Sequence, residues 1–159
     1  MTPRIETLPE TRLIGVKVRM SFANNKTGML WQTLMPRRRE IENGSADLYS
    51  VEVYDDTNFF SNFNPTTEFE KWAAVAVSEQ SPIPENMEEL IMPEGLYAVF
   101  HYKGKASDAA GTYQYIYGTW LPQSEYELDD RPHFALMGEK YKNEDPDSEE
   151  ELWVPIKEK

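Results

Sequence analysis

The sequence predicts an α+β protein made by tandem duplication of a strand–helix–strand–strand module, with antiparallel sheets, two main helices and a ligand groove at the pseudo-twofold junction. Three observations carry this. Segments in which apolar and polar residues alternate recur through the chain, the period of half-buried strands. Two stretches place apolar residues at helical spacing, and each runs into a proline. The end of the first stretch, "LWQTLMP" (30–36), is replayed by "IYGTWLP" (116–122) inside the same order of elements.

The first strand is expected over 13–22, "LIGVKVRMSF", where β-branched and apolar residues alternate with polar ones. Asn24 and Asn25 suit the start of a helix, because their short side chains can accept hydrogen bonds from unpaired N–H groups of its first turn. Thr27, Leu30, Trp31, Leu34 and Met35 then fall on one helical face, and Pro36 ends the ladder. Strands follow at 47–55 and 68–78, with a polar and aromatic loop between them holding Phe59, Phe60 and Phe63. The proline-rich segment 79–90, "EQSPIPENMEEL", reads as a connector. The second half opens with a strand at 95–102, and Ser107 or Asp108 can cap the helix whose stripe is Tyr113, Ile116, Tyr117 and Trp120. Pro122 stops that helix, and strands near 132–141 and 150–157 complete the module. The chain is read as one domain, 1–159, with pseudo-repeats over about 1–80 and 90–159. Within it only the acidic run "KNEDPDSEEE" looks locally unstructured.

Composition narrows the function. The 159 residues include 28 acidic and 16 basic side chains, for a net charge of −12. Affinity for nucleic acid comes largely from Lys and Arg neutralising phosphates, so direct nucleic-acid binding is not expected. Arg37, Arg38 and Arg39 are answered at once by Glu40 and Glu42 and read as a solvated turn. Cysteine is absent, which removes thiol catalysis, disulfides and thiolate metal sites. No stretch has membrane-spanning length, and the N-terminus lacks a signal-peptide core, so the expected location is the cytoplasm with no membrane partner.

Most catalytic signatures are missing. "HYKGKASDAAGTY" lacks the glycine spacing and the Gly-Lys-Ser/Thr ending of a phosphate loop, and no Gly-x-Ser-x-Gly elbow occurs. His101 and His133 are unclustered and read as structural. "DPDSEEE" has Glu150 where a calcium loop needs glycine. Neither a metal nor a cofactor is expected. The remaining candidates are aromatic and acidic. Trp31 and Tyr117 occupy equivalent places in the repeat, where each can flank the junction groove. Glu151 lies inside the last strand on the same face as Trp153. A carboxylate held among rings at a desolvation cost is a site for a cation, which also gains from the negative ring faces.

"GLYAVFHYKGKASDAAGTYQYIYGTWLPQSEYEL" with the closing "EELWVPIK", and "GMLWQTLMP" in the first half, resemble the GyrI-like domain family. These are effector-binding domains of bacterial transcription activators and their stand-alone relatives, including the SbmC gyrase-inhibitor type. The resemblance covers nearly the whole chain. It implies duplicated modules with a small, often hydrophobic or cationic molecule bound between them, as in multidrug binding. It places the family's functional glutamate at Glu151 and the pocket aromatics at Trp31, at Tyr117 or Tyr113, and at Trp153, where the family more usually has tyrosine. A preceding helix-turn-helix has no room here, so the resemblance implies a stand-alone sensor or enzyme, the leading expectation being a domain that senses or sequesters its ligand. An alternative it implies is a cyclopropanoid hydrolase, with Glu151 as general base and Tyr117 or Tyr113 as hydrogen-bond donor. A further alternative is a protein-interaction module whose partner is DNA gyrase or a transcription regulator.

Overall fold

The computed structural model describes residues 2–159. Nine strands belong to one antiparallel system: β1 (Arg4–Leu8), β2 (Thr11–Met20), β3 (Leu48–Val53), β4 (Phe69–Val77), β5 (Glu88–Met92), β6 (Gly95–Lys103), β7 (Tyr126–Leu128), β8 (His133–Met137) and β9 (Glu149–Glu158). Their lateral order is β1-β6-β9-β8-β3-β4-β2-β5, with β7 pairing separately along β9. Exchanging β1 with β5, β2 with β6, β3 with β8 and β4 with β9 returns the same order read backwards. The pair β3·β8 lies at the centre, with Glu52 opposite His133.

This order forces the sheet to curl. β1 is one edge strand and β2 lies next to the other edge, yet only Pro9 and Glu10 join them. Three Cα steps span at most about 11 Å. The short link from β5 to β6 through Pro93 and Glu94 imposes the same closure from the other side. The inner face is therefore filled. Leu13, Val51, Trp72, Met92, Tyr97, Val99, Phe134 and Trp153 form one buried cluster, with Leu8 and Leu90 of the edge strands packed against it. Phe134 and Trp153 stack with centroids 5.1 Å apart. Gly15 of β2 faces this interior because nothing larger fits, a Cβ there lying 2.0 Å from the Ala73 carbonyl oxygen.

The outer face carries the helices. α1 (Thr27–Leu34) sets Leu30 and Leu34 on Ile14, Val16, Ala73 and Val75. The second helix is composite: α2 (Ala110–Tyr115), a π-helical segment Ile116–Trp120, and α3 (Leu121–Gln123). Its Ile116 is buried on Ala98, Phe100, Leu152 and Val154. Among the described residues no helix is long and apolar enough to cross a membrane.

Several expectations change in detail. β1 and β7 lie in stretches the residue pattern left unassigned and β5 begins inside the expected connector 79–90, because "RIETL", "EELIM" and "YEL" are short and charged and become strands only by pairing with neighbours. The first α-helix ends as expected at Pro36, its last residue being Leu34 and its C-cap Met35. What the residue pattern did not show is that the chain runs straight on into a 3₁₀ turn over Met35–Glu40, with Pro36 in its first turn, where a missing N–H has no bond to lose. Neither asparagine is the N-cap, which is Lys26 and makes no side-chain cap bond; Asn25 Oδ1 accepts the Thr27 N–H at 2.9 Å from one residue further out. Ser107 instead donates to Glu144 at 2.7 Å from a separate 3₁₀ turn, and the second helix starts at Ala110 without a side-chain cap. The acidic run is held in turns, with Glu149 N donating to Lys140 O and Ser148 buried, and its last three glutamates lie in β9.

Candidate functional site

Strand parity decides which side chains can meet a ligand. Even-numbered residues of β2, β3 and β9, and odd-numbered ones of β4 and β8, share the outer face with the helices. On that face lies a cavity of about 830 Å³. Its floor is Met20 of β2, Glu52 of β3, and Phe69 and Lys71 of β4. The loop between β3 and β4 contributes Tyr54, Phe60 and Phe63. The composite helix closes the far wall with Tyr113, Gln114, Tyr117 and Gly118, so residues of both halves line one space. The size is that of a site for a drug-sized molecule.

The helix wall owes its shape to an irregularity. Leu121 N–H reaches back five residues to Ile116 O, just before Pro122, which has no N–H to continue the α ladder. Such π turns recur at functional sites. Here the turn carries Tyr117 and Gly118, and nothing lies within 4 Å of where a Gly118 Cβ would be. Tyr117 stacks flat on Phe60, centroids 3.7 Å apart and planes within 9°. That ring pair also borders a smaller cavity of about 320 Å³, lined on its other side by Thr57, Leu121, Leu128 and Lys159. The rings of Phe22, Tyr54, Phe59 and Phe69 interlock below the loop, with Tyr54 and Phe59 centroids 4.4 Å apart.

One ion pair sits in this apolar wall. Glu52 and Lys71 are direct cross-strand partners, and Lys71 Nζ donates to Glu52 Oε2 at 2.5 Å with only 10% and 14% of the lysine and glutamate side chains exposed. Burial, reinforced by the Glu52 charge, pushes the phenols of Tyr54, Tyr113 and Tyr117 well above their ordinary range, so all three stay protonated. Tyr117 Oη and His133 Nδ1 are hydrogen-bonded at 3.0 Å. Burial first, then the Arg131 charge, drives the His133 imidazole down to about 3, so the ring is neutral. Glu150, also on the outer face, is pushed up to about 7 by burial and by the Glu52 charge, against the pull of Lys71.

The residues expected from sequence are split by this geometry. Tyr113 and Tyr117 both line the cavity. Trp31 lies outside it, packed on the α1 cluster around Ile14, Leu30 and Leu34. Glu151 and Trp153 face the inner side of the sheet, opposite the cavity, and Trp153 is part of the inner core. The expectation that their face lines the groove is corrected by the curl, which fills that face with core. Glu151 has a different task there. It accepts the Trp153 indole N–H at 3.1 Å and pairs with Arg4 at 2.8 Å, whose guanidinium lies 5.8 Å from the indole centroid. The same device occurs in β4. Glu70 accepts the Trp72 indole N–H at 2.6 Å, and Lys17 lies 5.5 Å from that ring and 3.7 Å from Glu70.

That second Glu-x-Trp, "EKW" at 70–72 against "ELW" at 151–153, is a repeat visible in the sequence, and it marks both glutamates as partners of a core indole. Glu52, Lys71 and Tyr54 went unrecognised as site residues because single charges on alternating strands read as solvent-facing.

Comparison with known proteins places the whole architecture. The GyrI-like small molecule binding domain matches residues 1–157. The transcriptional regulator BrlR of Pseudomonas aeruginosa is 30% identical over 157 residues, 98% of this chain and 56% of that protein, so the chain spans just over half of its relative. A solved structure of SAV2435 bound to tetraphenylphosphonium superposes with a TM-score of 0.69 at 15% identity, covering 99% of this chain and 94% of that one. EcmrR, solved in complex with DNA, gives a TM-score of 0.73 at 12% identity over 99% of this chain and 58% of that one.

Proposed function

The chain belongs to the GyrI-like small molecule binding domain family, and from that premise we propose that its outer-face cavity binds a hydrophobic, aromatic small molecule for sensing or sequestration in the cytoplasm. The observation that carries this reading is a single space of about 830 Å³ walled by rings from both halves of the chain, with a carboxylate–ammonium pair on its floor. Tyr113 and Tyr117 are the ligand-facing aromatics, and Glu52 takes the acidic role that the family resemblance put at Glu151. The two halves arose by tandem duplication, and the cavity is the groove at their pseudo-twofold junction. The palindromic strand order and the paired Glu-x-Trp devices support this. SAV2435 in its complex with tetraphenylphosphonium supports an organic ligand with aromatic faces. A net charge of −12 supports a domain that does not itself hold nucleic acid.

The test is to titrate an uncharged aromatic dye and tetraphenylphosphonium while following tryptophan fluorescence. Saturable binding is expected in the wild type. It should be weakened in Gly118→Phe, which adds a ring at the cavity wall where nothing lies within 4 Å of the new Cβ. Equal binding by the folded variant removes the cavity from the function.

A second reading, hydrolysis in the same space, is favoured by the Tyr117 hydroxyl anchored on neutral His133. Its phenol could donate to a substrate oxygen. Incubation with a cyclopropane-bearing alkylator should then yield a product one water heavier. Tight binding without turnover refutes it.

A further inference from the structure

A carboxylate in an aromatic cavity attracts organic cations, but this cavity supplies a cation of its own. Lys71 is a cavity-lining side chain whose ammonium is bonded to the cavity-lining Glu52. The pair is fixed by the sheet, since the two residues face each other across β3 and β4. One further acid on this face, Glu150, interacts with both members of the pair, and burial and the Glu52 charge push its carboxyl up to about 7. The rest of the cavity wall is largely phenyl rings and phenols held neutral by burial, and His133 behind Tyr117 is neutral as well. With the pair intact, the floor carries both signs and no net charge.

We propose that Lys71 sets the charge selectivity of the cavity, acting as a tethered counter-ion that an organic monocation must out-compete for Glu52 and that an organic anion can recruit. This rests on the reading that the cavity is a small-molecule site. A monocation entering the wild-type cavity meets a carboxylate already neutralised, and meets the ammonium with it. An anion meets an ammonium that can turn from Glu52 towards it. The favoured ligand is therefore a bulky aromatic molecule that is neutral or carries an acidic group, and lipophilic cations bind weakly for a cavity of this kind. In a low-dielectric wall these charge terms outweigh differences in ring contact between ligands of one shape.

Tetraphenylphosphonium and tetraphenylborate provide the probes, being closely similar in shape and opposite in charge, with N-phenyl-1-naphthylamine as an uncharged fluorescent reporter of the cavity. Four proteins are compared: wild type, Lys71→Met, Glu52→Gln and the double variant. Lys71→Met leaves Glu52 unopposed and should tighten phosphonium binding by about tenfold or more relative to borate. Glu52→Gln leaves the ammonium unopposed and should shift the ratio as far towards borate. The double variant has no unpaired charge, so it tests the idea even if a single variant folds poorly, and its ratio should return close to wild type. Should all the folded proteins bind the neutral reporter with one unchanged phosphonium-to-borate ratio, the role given to Lys71 is overturned while the cavity reading stands. If no protein binds any of the three probes, the cavity reading falls and takes this inference with it.

Discussion

Acidification tests the buried imidazole behind the cavity. His133 lies on β8, opposite Glu52, against Tyr54 at 4.9 Å between centroids, and bonded to Tyr117. In the unfolded chain its ring protonates near 6.5, whereas in the folded protein it stays neutral down to about 3. Between those values the unfolded state binds more protons than the native state, so this group's contribution to stability rises with pH through that window. It is present in full above about 6.5 and is lost as pH falls. At about 1.4 kcal/mol per unit, the loss amounts to about 3 kcal/mol at pH 4.5 and about 5 kcal/mol near pH 3. Glu150 opposes this. Its folded value near 7 lies above the ordinary carboxyl range, so the native state keeps a proton that the unfolded chain releases, and stability falls as pH rises from about 4.5 to 7.

The experiment therefore starts from Glu150→Gln, which removes the opposing term. Urea denaturation of that protein at pH 7.5, 5.5 and 4.5 is compared with the Glu150→Gln/His133→Gln double variant, and about 3 kcal/mol of extra loss by pH 4.5 is expected only where His133 is present. The depressed carboxyls of Asp55 and Asp129, held down by Arg19 and Arg131 partners, contribute equally to both proteins and cancel. Parallel losses in the two proteins would show that His133 is not held neutral, and with that the account of the Tyr117 hydrogen bond would fail.

Glu151→Gln should cost about 1 kcal/mol, mainly through the weakened indole hydrogen bond, and leave dye binding unchanged; a large loss of affinity would return Glu151 to the site. Phe60→Ala removes the stacked partner of Tyr117 and joins the two cavities it borders. Affinity for a compact aromatic dye should drop by about 1 kcal/mol, read by fluorescence titration, while longer aromatic ligands lose less. Gly15→Ala drives a methyl into the Ala73 carbonyl and should lower the denaturation midpoint strongly, by about 3 kcal/mol or more, as measured in urea.

The α+β class, the six longer strands, the two main helices and the aromatic character of the second helix were legible in the residues, because each depends on local period or on proline placement. That Tyr113 and Tyr117 line the same space was legible in the helical stripe, since residues three to four apart on a helix share a face however the helix is packed, whereas their role as pocket residues came from the family resemblance and the repeat. The strand side of the site was not accessible in this way. Alternation shows that Glu151 and Trp153 point together and that Glu150 points away from them, but it carries no sign saying which side will be covered by helices. That sign comes from closure of the sheet, imposed by two-residue links between strands at opposite ends of the order, and a shift of one position along a strand exchanges core for cavity. For the same reason Glu52 and Lys71, opposite in charge, became a buried pair only once β3 and β4 lay side by side in this register. Local chemistry named the elements and the rings; the long-range register chose which charges they enclose.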